Sequence, residues 1–235
     1  MAFQLSQFKV EPYVADYKTR LWVTSFSILA ALLAASVLLL IVGANPLEAF
    51  SAMLSGAFGS WKNWSVGDFY QISETLVKMI PVLLTTLAVL VAFRMRFWNI
   101  GADGQFAMGA AAATGMALFG KNLIPGLPDG LVLPLMLLAS MFMGALWAMV
   151  SAALKLKFGV NEIISTLMLN YIAILLVEYL YFVPWQDPQG MGFPGTAPFE
   201  AFARMPRLFG RVHTGLFFGL VIAFALWLWL DHTPR

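Results

Sequence analysis

Residues 21–42, LWVTSFSILAALLAASVLLLIV, run for a full bilayer's length without one charged side chain. A helix needs about 20 mostly apolar residues to cross a hydrocarbon core of about 30 Å. Backbone N–H and C=O groups meet no water there, so the segment must pair them internally, as a helix does. The stretch is too long for the apolar region of a cleaved signal peptide, about 7–15 residues. Five further segments have the same character: 74–93, interrupted by Pro81; 105–119, short and rich in Ala and Gly; 131–154; 160–183; and 215–230. Pro81 is expected to kink the second span. The third is the least secure as a complete span: it either crosses alone or joins a broken or re-entrant helix with the residues before it. The predicted fold class is all-α, a polytopic transmembrane helical bundle of about six spans forming one domain over residues 1–235.

Composition agrees. Of 235 residues, 60% are hydrophobic and 11% charged, and the mean hydropathy is +0.80. Soluble domains run at about 45–50% apolar and about 25% charged. A net charge of +2 gives no reason to expect a nucleic-acid partner. Lys9, Lys18 and Arg20 precede the first span, so the positive-inside rule puts residues 1–20 in the cytoplasm. Alternation then places Arg94, Arg96, Lys155, Lys157 and Arg235 on the same side. The long segments 43–73 and 184–214 fall outside. The second carries Pro184, Pro188, Pro194, Pro198 and Pro206, a density that forbids a long helix.

No catalytic set can be assembled. There is no Cys, and His213 and His232 stand in no metal-ligand spacing. The stretch GMALFGKN at residues 115–122 imitates a phosphate loop, but Asn122 stands where a Mg-binding hydroxyl is needed. The chain therefore reads as neither an enzyme nor a metal protein. If ATP is used, another chain must hydrolyse it.

Polar residues beside hydrocarbon are costly and usually face a cavity or a partner. Two groups need explaining. The first is residues 94–105, RMRFWNIGADGQ, where Gly101 and Gly104 permit a tight backbone and Asn99 and Asp103 would share a face if the piece is helical. Either of them is also a candidate cap for a helix start. The second is Glu162, Thr166 and Asn170, spaced by four. Each step of four turns about 40° past a full turn, so the three form one polar stripe. Such a stripe also serves as interhelical glue. Glu74 and Lys78 are read as a local i,i+4 ion pair, and Gly215 with Gly219 as a packing face.

At this point the motifs become specific. FWNIGADGQ at residues 97–105 resembles the F-N-I-G-A-E-G-Q signature of bacterial ABC-importer permeases of the branched-chain amino acid, ribose and simple-sugar superfamily. Trp98 is inserted after the aromatic residue, and Asp103 stands where Glu is usual. GVNEIISTLMLNYIA at residues 159–173 is similar to a second motif of the nucleoside-type subgroup, whose members pair with basic-membrane-protein lipoproteins. FPGTAP at 193–198 also fits. The resemblance implies a transmembrane subunit in the bacterial inner membrane that moves a nucleoside or simple sugar by alternating access. It implies a second permease subunit, cytoplasmic ATPase subunits carrying the ATP and Mg, and an extracytoplasmic binding lipoprotein as partners. It also implies a coupling helix and further spans beyond residue 235. Phe97, Trp98, Asn99, Asp103, Gln105, Glu162, Thr166 and Asn170 become candidates for lining or shaping the pathway, with Gly101, Gly104 and Pro81 as backbone and packing elements. The alternative from another class is a stand-alone channel or secondary carrier for a small polar solute. A purely structural membrane subunit is the third reading.

Overall fold

The computed structural model describes residues 16–232. Most of the expected cytoplasmic segment, with Lys9, and the expected inner cation Arg235 lie outside the described residues. The chain divides into two compact units, residues 1–60 and 61–235.

The first unit holds α1, Tyr17–Ile41, and α2, Pro46–Phe58. Asp16 caps α1 by accepting the Tyr17 N–H at 2.8 Å. Neither helix buries a residue within the protein. Trp22, Phe26 and Leu33 of α1 stand open, the surface a helix presents when its solvent is lipid. α2 starts on Asn45, whose Oδ1 accepts the Leu47 N–H at 3.1 Å and whose Nδ2 donates to Glu48 Oε1 at 3.0 Å. Pro46 in the first turn has no N–H to leave orphaned. Segment 43–73, expected as an outer connector, thus contains a 13-residue helix. The local cap, not an apolar period, marks it.

The second unit is the helical bundle. Its elements are α3 (Trp61–Ser65), α4 (Tyr70–Arg94), α5 (Ala102–Leu123), α6 (Asp129–Phe158), α7 (Glu162–Phe182), a 3-10 turn (Ala201–Ala203), strands β1 (Arg207–Phe209) and β2 (Val212–His213), and α8 (Gly215–His232). By length and composition α1, α4, α6, α7 and α8 can each cross a membrane. The third expected span differs. α5 is 22 residues long, about 33 Å, but its small and polar residues make it less apolar than the other five. It is also unbroken, so of the two readings the broken or re-entrant helix does not hold. Gly residues permit a break, but here they permit close packing.

α5 packs on α6 and α7, α6 on α7, and α4 on α8 and α5. Gly109 of α5 comes so near α6 that a Cβ would stand 3.1 Å from the Ser140 carbonyl oxygen. Gly219 of α8 rests on Leu83 and Leu84 of α4, as a small-residue face should. Pro81 lies inside the unbroken α4, and Thr85 Oγ1 donates to its carbonyl at 2.9 Å. The 184–214 segment forms no long helix. Its β1–β2 hairpin buries Val212 and holds Arg211 2.9 Å from Glu74. Glu74 therefore pairs across the fold, not with Lys78 as its spacing suggested. Val132, Met136 and Ala203 form a small buried core under this loop, with Phe199 and Phe202 around it.

Candidate functional site at the α4–α5 connection

The two polar groups singled out in the sequence meet. α4 ends in a turn in which Arg96 N–H bonds to Phe93 O and Phe97 N–H to Ala92 O, both at 3.0 Å. This is the paired closure of a Schellman turn, with Arg96 at φ +56° where Gly is usual. The chain then runs past α7 and enters α5 at Ala102.

The first N–H groups of a helix have no partner within it. Asn99 Oδ1 accepts the Gly101 N–H at 2.9 Å, just before α5. Asn170, 66 residues further along the chain, accepts the Gly104 N–H on Oδ1 at 2.9 Å. Its Nδ2 donates to the Ile100 carbonyl, also at 2.9 Å. Thr166 Oγ1 accepts the Ile100 N–H at 3.3 Å and donates to Glu162 O at 2.6 Å. So α7 caps α5. The contact requires glycine. A Cβ on Gly104 would stand 2.7 Å from Asn170 Oδ1, and one on Gly101 2.9 Å from Thr166 Cβ.

Asn99 also pairs with Gln105, amide to amide, at 3.2 and 3.3 Å. Asn99 and Asp103 do not share a helical face, because Asn99 precedes the helix. Asp103 is exposed and forms no hydrogen bond or ion pair with the described residues. Neither expected cap serves α5 itself: Asn99 accepts only the Gly101 N–H ahead of the first turn, and Asp103 caps nothing among the described residues. Asn99, Thr166 and Asn170 are buried. Glu162 at the end of the stripe bonds to Lys155 Nζ at 2.5 Å, joining the end of α6 to the start of α7. Lys155 also lies 5.1 Å above the Phe97 ring. Trp98 is exposed and tilts against Phe93 at 5.2 Å. Phe93, Arg96, Phe97 and Trp98 together line a cavity of about 390 Å³. Gln105 also borders a cleft of about 300 Å³ between α4, α5 and α6, beside Thr85 and Ser140.

Lys155 was read from the sequence only as an inner cation, and Trp147, whose indole N–H donates to Leu169 O at 3.3 Å, was not singled out at all. A lone indole in mid-span, which must find an acceptor, was the available signal. The set contains carboxamides, one hydroxyl and a paired carboxylate. No group of three or more metal-ligating side chains gathers among the described residues. Such an arrangement is suited to holding helices in register.

The family described as the branched-chain amino acid transport system permease component matches residues 71–235. The chain belongs to this family. With its long apolar helices, this permease is a multi-pass integral protein of the inner membrane. It is 37% identical over 193 residues to a glucose ABC transporter permease of Haloferax volcanii, covering 80% of this chain and 46% of that one. It is 29% identical over 222 residues to a guanosine ABC transporter permease of Bacillus subtilis, covering 92% and 60%. A nucleoside ABC transporter permease of Lactococcus lactis is 30% identical over 164 residues, covering 69% and 42%. The chain thus spans about half the length of these relatives. No solved structure matches it.

Proposed function

We propose that this permease is a transmembrane subunit of an ABC importer that carries a nucleoside or a simple sugar inward by alternating access. A second permease subunit would complete the route, cytoplasmic ATPase subunits would bind and hydrolyse ATP with Mg, and an extracytoplasmic lipoprotein would deliver the solute. The N-terminus would be cytoplasmic. The observation that carries this reading is the convergence of the two family motifs on one structural unit, the α5 start capped by α7. In this reading Asn99, Thr166, Asn170, Gly101 and Gly104 shape the unit, and Pro81 shapes α4. Gln105, which borders the interhelical cleft, and Asp103, which is exposed, contact the solute. Phe97 and Trp98 close the cytoplasmic end, with Glu162 tied to Lys155.

The test is uptake of labelled guanosine and labelled glucose by cells carrying the complete transporter. Uptake should require the ATPase subunits, and Gln105→Ala should weaken it. Facilitated flux by the isolated chain in liposomes, without ATPase, would overturn the proposal in favour of a channel or carrier.

A further inference from the structure

Most helical hydroxyls in this bundle return their proton to their own helix. Thr85 and Thr86 donate to carbonyls one turn back, as do Ser140, Ser151 and Ser165. The cleft beside Gln105 is therefore bordered by hydroxyls that are already spent. A different cavity, of about 490 Å³, lies between α5, α7 and the segment after α7. Its volume falls within the range of about 300–1,000 Å³ typical of small-molecule sites.

Thr114 of α5, Tyr181 of α7, and Trp185 and Thr196 of the following loop border it. Among the described residues none of these four side chains makes a hydrogen bond. Three hydroxyl-bearing residues and a tryptophan thus border one cavity with their side-chain hydrogen-bonding capacity unused. Polar groups beside hydrocarbon are normally paired, so such a set is suited to a polar solute.

The same wall supplies flat apolar surface. The Trp185 ring sits 6.0 Å from that of Phe119, and its benzo edge is 3.4 Å from where a Gly115 Cβ would be. The backbone at Trp185 is held by the bond from its main-chain N–H to Leu180 O at 2.8 Å. The roof is ordered too. Asp187 N–H donates to Gly195 O at 2.9 Å and closes a loop, which Asp187 Oδ1 braces by accepting the Gln189 N–H at 2.9 Å. This places Gly195 and Thr196 over the cavity. The site lies towards the end of α7 opposite Glu162, and Tyr181 is about 17 Å along the helix from Asn170.

We propose that this cavity is a solute subsite that selects nucleosides over sugars, the base lying against Trp185 and Tyr181 and the ribose hydroxyls meeting Thr114 and Thr196. It rests on the transport reading above and narrows its substrate class. A hexose fills the hydrogen bonds but offers the two aromatics only the C–H face of a puckered ring, a smaller contact than the planar face of a base.

The test is concentration-dependent uptake of labelled guanosine by cells carrying the complete transporter, with glucose as competitor and membrane levels of each variant measured. Trp185→Ala should raise the half-saturating guanosine concentration about tenfold or more, and Trp185→Phe should recover most of it. Thr114→Val, which preserves shape, should raise it about three- to tenfold. Glucose should compete poorly. Wild-type affinity in both Trp185→Ala and Thr114→Val, with uptake intact, overturns the subsite and leaves the transport reading standing. Glucose uptake with no guanosine uptake also overturns the subsite alone. Absence of ATPase-dependent uptake of either solute by the unaltered transporter overturns both.

Discussion

Replacing Asn170 by Ala removes one side chain and strands two backbone groups. Gly104 N–H, the third of α5, loses its acceptor at 2.9 Å, and the Ile100 carbonyl loses its donor at 2.9 Å. Neither has an obvious substitute. The early N–H groups of a helix lack intrahelical partners, and Gly104 is buried. Leaving a buried group unpaired costs about 1–3 kcal/mol, so two would cost about 2–6 kcal/mol. Membrane measurements argue for the lower part of that range. Interhelical polar contacts there average about 0.6 and reach about 1.7 kcal/mol, because the separated helices also find partners. We expect a loss of about 2–3 kcal/mol. The assay is reversible unfolding of the purified chain in mixed micelles, compared with Tyr171→Ala. Tyr171 is the next residue on α7 and is 59% exposed. A loss below about 0.5 kcal/mol for Asn170→Ala, no larger than the Tyr171 control, would refute the idea that α7 holds α5 by capping it.

Two glycine substitutions should diverge in sign. Gly104→Ala should destabilise by about 1–3 kcal/mol in the same unfolding assay, since its Cβ would stand 2.7 Å from Asn170 Oδ1. Gly56→Ala in α2, where a Cβ meets nothing within 4 Å, should stabilise by about 0.5–1 kcal/mol through helix propensity. Orientation is testable directly because the chain has no native cysteine. A membrane-impermeant maleimide added to intact cells should label Met191→Cys, where the native side chain is 94% exposed, and spare Leu156→Cys near the α6–α7 turn. The opposite pattern inverts the topology. Lys155→Ala should cost about 1 kcal/mol or less by chemical unfolding, since the lysine is partly exposed and the pair is screened. A loss of several kcal/mol would mean that Glu162 is far less solvated than its position indicates.

The convergence of 97–105 with 159–173 was legible as two motifs but not as one object. Periodicity placed Thr166 and Asn170 on one face of α7. It carries no information about which helix that face meets, because bundle pairing is set by side-chain shape and by gaps such as Gly101 and Gly104. Asp103 shows the limit from the other side: its residue type suggested a cap, but Asn170 occupies that role from another helix. The Glu74 pairing failed for the same reason, since an i,i+4 neighbour competes with every cation the fold brings near, and the hairpin brings Arg211. α2 was missed because a 13-residue helix is too short to register as a span, although Asn45, Pro46 and Glu48 are a readable start signal.

The amino-acid sequence alone determined that this chain lives in a membrane, where its long helices begin and end to within a few residues, and which polar residues are anomalous there. Those properties follow from transfer of each segment into hydrocarbon and from pairing of its own backbone, which are local. Only the tertiary structure decided that α5 is unbroken and packed between α6 and α7, that Asn170 closes its open end, and that unspent hydroxyls gather beside Trp185. Each of these depends on how closely two distant surfaces approach, and an ångström of difference there separates a hydrogen bond from a clash.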